Sequence, residues 1–178
     1  MSDVRTPYLY LIEMEQRSRA LTQGLPVQQE VSQQWSGIGF RMGEHFYVAP
    51  MGEIEEVLHP PRFTKIPGVK EWIKGVANVR GKLLPLIDLC HYFHLNPAKA
   101  SQQARVLVVS QGELFVGLIV DDVVGMQHFT VESFSEDVDG MEADVRPFLH
   151  GAFLREKIWR VFSPQMLTMD KNFLDVAS

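Results

Sequence analysis

The chain has 178 residues, a mass of 20.3 kDa and a formal net charge of −5. A chain of this length buries about 70% of its unfolded surface, so it needs no disulfide or metal to fold. The acidic balance disfavours a nucleic-acid partner, because neutralising phosphates requires a surplus of Lys and Arg. The single cysteine, Cys90, excludes an internal disulfide. The sequence has neither a signal-peptide pattern nor an apolar stretch of about 20 residues, which predicts a cytoplasmic protein without direct membrane insertion.

Residues 1–34 are predicted to form an N-terminal helical extension and linker. After Pro7, apolar residues recur near helical spacing, and Gly24 followed by Pro26 is a plausible helix end. The apolar positions are Tyr8, Leu11, Ile12, Leu21 and Leu25. The segment from Val27 to Gln34 contains four glutamines and has no periodicity, which is typical of a polar connector.

From Trp35 onward the apolar residues alternate with a period of two, which predicts β-strands joined in hairpins. Pro85 lies within one predicted strand, which indicates an edge strand or a bend there, because proline cannot donate a ladder hydrogen bond. Four hairpins are predicted, each about a pair of turn residues. They run from Ile38 to Val48 about Gly43 and Glu44, from Gly75 to Leu89 about Arg80 and Gly81, from Arg105 to Val120 about Gln111 and Gly112, and from His150 to Phe162 about Arg155 and Glu156.

The strand pattern occurs twice, on either side of a polar gap from Asn96 to Gln103. Some letters also recur, with offsets of 69 and 75 residues. The matches are Gly43, Glu44 and Phe46 with Gly112, Glu113 and Phe115, Ile54 with Val123, Val57 with Met126, Arg80 with Arg155, and Lys82 with Lys157. This duplication predicts two joined small β-barrels within a domain spanning residues 35–168.

The C-terminus is predicted to return to helix before a tail of residues 169–178. Ser163 is a good N-cap and Pro164 suits the first helical position. A packing stripe is predicted from Met166, Leu167, Phe173 and Leu174.

The residues that could carry chemistry do not form a complete catalytic set. Asp88, Cys90, His91 and His94 offer every ligand type that zinc accepts, so a metal-dependent enzyme using Cys90, His91 and His94 is an alternative. Burial of these residues in a core is favoured over metal binding, because the cluster lacks a second half. The sequence has no nucleophile elbow and no Gly-rich phosphate loop. The remaining carboxylates are predicted to be solvated or partner-facing, and they are Glu53, Glu55, Glu56, Asp121 and Asp122.

One stretch resembles the signature of the CheW-like domain, a chemotaxis coupling module. It reads Gly75-Val-Ala-Asn78-Val-Arg80-Gly81, followed by Leu84-Pro85-Leu86-Ile87-Asp88-Leu89. The resemblance extends over about Trp35 to Leu167 through Gly43–Val48, Ile54–Val57, Val106–Val109, Gly117–Val123 and His150–Phe153. The N-terminal extension, the segment from Trp35 to Pro50, the run from Met126 to Phe129 and the terminal run from Phe173 to Val176 are similar to coupling proteins of type IV pilus twitching-motility systems.

The resemblance implies a mainly β fold of two five-stranded SH3-like barrels and a two-component signal-transduction adaptor without catalysis or cofactor. Its partners would be the regulatory domain of a CheA-type histidine kinase and the cytoplasmic tip of a chemoreceptor in a membrane-associated array. By position, Asn78, Arg80 and Gly81 would face the receptor. Ile54, Glu56 and Val57 would lie near the kinase contact, and the partner-binding set is completed by Gly75 and Val79.

Three alternatives accompany this interpretation. Arg80 could simply fix its turn by pairing with Asp88 or with a backbone carbonyl. The chain could couple a flagellar chemotaxis system instead of a pilus system. It could also be a regulatory domain from a larger kinase, although a chain of 178 residues starting at Met1 favours a stand-alone coupler.

Overall fold

The computed structural model describes residues 33–96, 102–137 and 140–175. The predicted N-terminal helix and most of its connector lie outside these residues. The strands are β1 Gln34–Met42, β2 His45–Pro50, β3 Glu56–Leu58, β4 Phe63–Thr64, β5 Ile73–Val79, β6 Lys82–Asp88, β7 Arg105–Gln111, β8 Leu114–Val120, β9 Asp122–Thr130, β10 Phe134–Ser135, β11 Leu149–Arg155 and β12 Lys157–Phe162. The α-helices are α1 Leu89–Tyr92, α2 Pro164–Thr168 and α3 Lys171–Leu174, and single 3-10 turns cover Met51–Glu53, Val131–Ser133 and Arg146–Phe148.

The strands form two six-stranded sheets of the same plan. Sheet 1 has the order β10-β11-β12-β2-β1-β9, and sheet 2, written in the matching direction, has the order β4-β5-β6-β8-β7-β3. Each sheet contains one parallel pair, β12 with β2 in sheet 1 and β6 with β8 in sheet 2. The predicted mainly β fold and the four predicted hairpins are confirmed.

The sequence pattern suggested that the polar gap separates the two sheets along the chain, but the strand order shows that it does not. β7 and β8 follow the gap but pair with strands that precede it, whereas β1 and β2 pair with β9 and β12 from the other end of the chain. The two halves have therefore exchanged their first hairpins. The repeated letters identify equivalent strands, but they carry no information about which copy supplies the partner strand.

The strand registers confirm the offset of 69 and correct one match at the offset of 75. Val57 lies opposite Leu107, and Met126 lies opposite Ile38, so β3 and β9 are equivalent. The β5–β6 hairpin closes with Val79 opposite Lys82, whereas the β11–β12 hairpin closes with Arg155 opposite Lys157. The second turn is one residue shorter, so Arg155 corresponds to Val79 rather than to Arg80.

Gly75 and Gly151 occupy equivalent β-bulges, at which the ladder register shifts. Their φ angles are +154° and +141°, values that favour glycine. A Cβ at Gly75 would lie 2.3 Å from the carbonyl oxygen of Thr64, and one at Gly151 would lie 2.5 Å from that of Ser135. Glycine therefore allows the short strands β4 and β10 to approach their neighbours closely.

Pro85 does not lie in an edge strand, because β6 is paired with both β5 and β8. Its position explains why proline is tolerated. The parallel ladder with β8 covers Leu86 to Asp88 and begins after Pro85, which faces Val76 of β5. The missing N–H therefore falls outside the ladder between β6 and β8.

The core has a large cluster between the sheets and one smaller cluster in each sheet. The central cluster includes Phe40, Met42, Tyr47, Leu89, Phe93, Leu107, Leu118 and Phe162. The sheet 1 cluster contains Trp35, Val48, Phe129, Phe153, Trp159 and Val161, and the sheet 2 cluster contains Ala77, Leu84, Leu86, Val106 and Val108. Burial of each large apolar side chain contributes about 1.5–3 kcal/mol. No helix in the described ranges has the length and apolar character needed to cross a bilayer.

The C-terminal helix has the predicted N-cap, but only two of the four residues predicted to pack are buried. The Ser163 hydroxyl accepts a hydrogen bond from the Met166 N–H at 3.2 Å, and Pro164 opens α2. Leu167 and Phe173 are buried in the central cluster, whereas Met166 and Leu174 are exposed. The chain turns between α2 and α3, so the spacing of one continuous helix does not apply. Part of the predicted C-terminal tail therefore belongs to the core.

Candidate functional site

The turn between β5 and β6 presents Arg80 at its tip. Arg80 and Gly81 have φ angles of +52° and +82°, the combination that a two-residue type I′ hairpin requires. The side-chain oxygen of Asn78 accepts a hydrogen bond from the Gly81 N–H at 3.0 Å. A left-handed conformation at a non-glycine residue costs about 1–2 kcal/mol. Asn78 and Gly81 therefore hold Arg80 in a conformation that it would otherwise avoid.

The Arg80 guanidinium forms an ion pair with Glu56 of β3, so two residues predicted to bind partners lie in contact. The Arg80 side chain is 70% exposed and that of Glu56 is 25% exposed. An exposed ion pair contributes about 0–1 kcal/mol to stability. Its main consequence is that the guanidinium is oriented while most of its surface stays accessible.

The predicted pairing of Arg80 with Asp88 is wrong, because Asp88 has other partners. One Asp88 oxygen lies 3.7 Å from the Lys74 ammonium. The other accepts a hydrogen bond from the His91 N–H at 3.2 Å and thereby caps α1. Asp88 belongs to the opposite end of β6 from the Arg80 turn.

Two exposed aliphatic side chains lie in the strand or hairpin that carries a member of the ion pair. Val57 of β3 is 37% exposed and Leu83 of β6 is 69% exposed. Leu83 lies directly opposite Asn78 in the hairpin. We call the accessible set of Glu56, Val57, Asn78, Arg80, Gly81 and Leu83 the Arg80 surface. Sequence reasoning missed Leu83, because it adjoins the buried Leu84 and an adjacent pair of leucines does not show which one faces outward.

The other predicted partner-binding residues are buried or partly buried. Ile54 is 8% exposed and packs in the central cluster. Val79 is partly buried against the sheet 2 cluster. Gly75 is buried in its bulge beside β4. These three residues therefore contribute little accessible area to a partner.

The candidate metal ligands are held apart by different partners. The Cys90 thiol is buried and lies 3.5 Å from an Asp121 carboxylate oxygen. The His91 ring is 3.5 Å from Glu71, and the His94 ring is 3.1 Å from Asp144. Within the described ranges, no group of three or more His, Cys, Asp or Glu side chains is arranged to hold a metal ion.

Two carboxylates that were predicted to be solvated are structural instead. Asp121 is 7% exposed and accepts a hydrogen bond from the Gly43 N–H at 2.7 Å, which ties the β1–β2 turn to the end of β8. Glu53 accepts hydrogen bonds from the Ser163 hydroxyl at 2.6 Å and the Gln165 N–H at 3.1 Å. Burial raises the pKa of Glu53, while these hydrogen bonds oppose the shift. Neither carboxylate is available to a partner in this arrangement.

We expect Cys90 to be chemically inert in the folded protein. Burial, with an added contribution from the negative Asp121, raises the pKa of its thiol to about 12. The thiolate is the reactive form, so at pH 8 the folded protein should react with a disulfide reagent at least about 1,000-fold more slowly than the unfolded chain. A colorimetric thiol assay with and without guanidinium measures the ratio. Fast labelling in buffer, with the protein still folded, would contradict the buried setting.

Known proteins show the same signature and fold. The model of the CheW-like domain matches residues 36–171. The chain is 58% identical over 177 residues to Protein PilI of Pseudomonas aeruginosa, an alignment that covers 99% of each chain. It is 34% identical over 84 residues to Chemotaxis protein CheW of Helicobacter pylori, covering 47% of this chain and 51% of that protein.

A solved structure extends the likeness to three dimensions. The scaffolding protein TtCheW from Thermoanaerobacter tengcongensis superimposes with a TM-score of 0.64 at 27% sequence identity. The superposition covers 72% of this chain and 88% of that chain. Together with the match of the family model to residues 36–171, this similarity shows that the chain belongs to the CheW-like domain family.

Proposed function

We propose that the protein is a non-enzymatic adaptor that couples a chemoreceptor to a CheA-type histidine kinase and thereby controls type IV pilus twitching motility. The observation that carries the proposal is the Arg80 surface, where a rigid turn displays an oriented guanidinium and the same hairpin exposes Leu83. Protein interfaces commonly combine such an arginine with apolar anchors. The identity of 58% to Protein PilI supports the pilus pathway over a flagellar one.

In this proposal Arg80, Asn78 and Gly81 face the receptor. The guanidinium presents a planar fork that fits a carboxylate on a helical partner, while Leu83 supplies apolar contact area. Glu56 holds the fork in place from β3. The binding energy then comes from a preorganised group, whose side-chain entropy has already been lost in the free protein.

Glu56 and Val57 lie on the side of the surface that we assign to the kinase regulatory domain. β3 is a terminal strand of sheet 2 and has three residues, of which Val57 is exposed. An edge strand with an exposed aliphatic side chain offers both backbone and apolar contacts to a partner. Ile54, Gly75 and Val79 support these contacts from the interior.

Calorimetric titration with the regulatory domain of a pilus-system histidine kinase tests the adaptor role. We expect saturable binding with a Kd of about 1 μM or tighter, which corresponds to about −8 kcal/mol. A flagellar-system kinase domain, titrated in parallel, should bind more weakly. The Val57→Asp variant should lose affinity, because a carboxylate would be placed in an apolar contact.

A variant outside the proposed contacts provides the control for this titration. Leu174 is an exposed aliphatic residue on α3, so Leu174→Asp makes the same chemical change away from β3. It should bind the kinase domain like the parent protein. Absence of binding to either kinase domain by the folded parent would overturn the proposal.

A further inference from the structure

The outer face of the β11–β12 hairpin carries an apolar groove that the proposed adaptor contacts do not use. Leu154 and Ile158 lie opposite each other in the hairpin and are 67% and 48% exposed. The groove has a volume of about 220 Å³ and is lined by Ser135, Asp137, Met141, Ala152, Leu154, Ile158 and Arg160, with Phe153 beneath. We call it the outer groove. Its floor is apolar and closed, because Ala152 and Met141 are 6% and 5% exposed.

The equivalent hairpin of sheet 2 lacks this character. There the pair opposite each other is Asn78 and Leu83, so one of the two aliphatic side chains is replaced by an amide. The Asn78 amide is engaged in its own turn through the Gly81 N–H. An exposed pair of aliphatic residues beside a groove of side-chain size is a feature that a covering segment would bury favourably.

The N-terminal segment, which precedes the described residues, joins them at Gln33, and Gln33 directly precedes β1 of the sheet that carries this groove. The Gln33 carbonyl accepts a hydrogen bond from the Val131 N–H at 2.9 Å, at the end of β9. The Arg155 guanidinium, next to Leu154, donates to the His128 carbonyl at 2.7 Å, also near the end of β9. His128 and Thr130 are two strand residues apart, or about 7 Å. A connector of residues 27–32 can extend about 20 Å, so it can bring the preceding segment to the groove.

The segment has apolar and acidic residues that match the groove. At the helical spacing that the sequence predicts for residues 8–25, Tyr8, Leu11 and Ile12 share one face, and Glu15 follows on that face four residues after Leu11. The groove offers an aliphatic wall and the half-buried cation of Arg160, which lies opposite Ala152, and its lining also includes the carboxylate of Asp137. A carboxylate beside a partly buried guanidinium forms a stronger contact than one in open solvent.

We propose that residues 8–25 of this chain dock in the outer groove of the same molecule, with Tyr8, Leu11 and Ile12 against Leu154 and Ile158 and with Glu15 beside Arg160. The segment then covers a surface of sheet 1 and leaves the Arg80 surface of sheet 2 free. The inference does not depend on the proposed adaptor role, because it concerns a contact within one chain.

Thiol accessibility in the full chain tests this proposal. The native Cys90 is buried, so a cysteine introduced by Ile158→Cys is the reactive thiol. In that variant we expect maleimide labelling to be about tenfold slower, or more, than in the same chain carrying Leu11→Asp and Ile12→Asp, since a tenfold change requires about 1.4 kcal/mol of docking free energy. The matched control is Leu83→Cys, the exposed counterpart in sheet 2, which should label at one rate in both backgrounds.

The possible outcomes separate the occupants. Equal labelling of Ile158→Cys in both backgrounds would overturn the proposal. Protection that rises with protein concentration would also overturn it, because a second copy would then fill the groove. Protection that is independent of concentration and is reduced by Glu15→Arg supports docking within one chain. Circular dichroism of each variant shows that the labelling rates refer to folded protein.

Discussion

Replacement of Arg80 by Glu is expected to weaken binding of the receptor tip about 30-fold or more while the domain stays folded. Reversal of a charge within a desolvated contact costs about 2–5 kcal/mol, and each 1.4 kcal/mol is tenfold in affinity. The fold should survive, because the Arg80 side chain is 70% exposed and the ion pair that it loses contributes little to stability. Calorimetry against a soluble receptor hairpin measures the affinity, and thermal denaturation checks the fold.

The matched control for this variant is Lys82→Glu, which makes the same charge change in the same hairpin. Lys82 sits 5.4 Å from the centroid of the Phe115 ring and is not paired with Glu56. Its effect on receptor affinity should be several-fold smaller, because this change alters the electrostatic potential of the surface but keeps the oriented Arg80 guanidinium. Arg80→Ala separates loss of the guanidinium from the repulsion that a new carboxylate would meet at Glu56. If folded Arg80→Glu binds the receptor as tightly as the parent, Arg80 has no role in that contact.

The parts of the fold that depend on local chemistry could be predicted from the sequence. Strand alternation predicted the four hairpins, with turns at Gly43, Gly81, Gly112 and Glu156. Ser163 with Pro164 predicted the start of α2. Each of these signals acts within a few residues. The exchange of hairpins between the halves could not be predicted, because β2 and β8 alternate in the same way whichever partner lies beside them.

Most residues of the candidate site could be named from the sequence, but the contacts between them could not. The family resemblance pointed to Arg80 and to Glu56 of β3 separately, whereas their ion pair joins residues that are separated along the chain by two other strands. The prediction that Asp121 is solvated was wrong for the same reason. Its carboxylate is buried because the distant Gly43 N–H needs an acceptor there. Contacts between distant segments decide these cases, and local patterns do not encode them.

Gly75→Ala is expected to lower the free energy of unfolding by about 3 kcal/mol or more, although it adds a single methyl group. The added Cβ would lie 2.3 Å from the Thr64 carbonyl oxygen and 2.7 Å from the Phe63 ring, so β4 must move away from β5. The φ angle of +154° adds backbone strain for any residue with a Cβ. Urea denaturation, followed by tryptophan fluorescence, measures the change, with equal m-values indicating that the two-state comparison is valid.

Two other glycines show whether this loss arises from the close approach of β4. Gly151→Ala makes the same change at the equivalent bulge, where the Cβ would lie 2.5 Å from the Ser135 carbonyl oxygen, so it should lose a similar amount. Gly52→Ala adds its Cβ where no atom lies within 4 Å, so it should change stability by less than about 1 kcal/mol. A Gly75→Ala protein as stable as Gly52→Ala would mean that β4 does not pack against the bulge as described. A loss at both bulges would mean that glycine at each bulge allows the short strand beside it to pack closely.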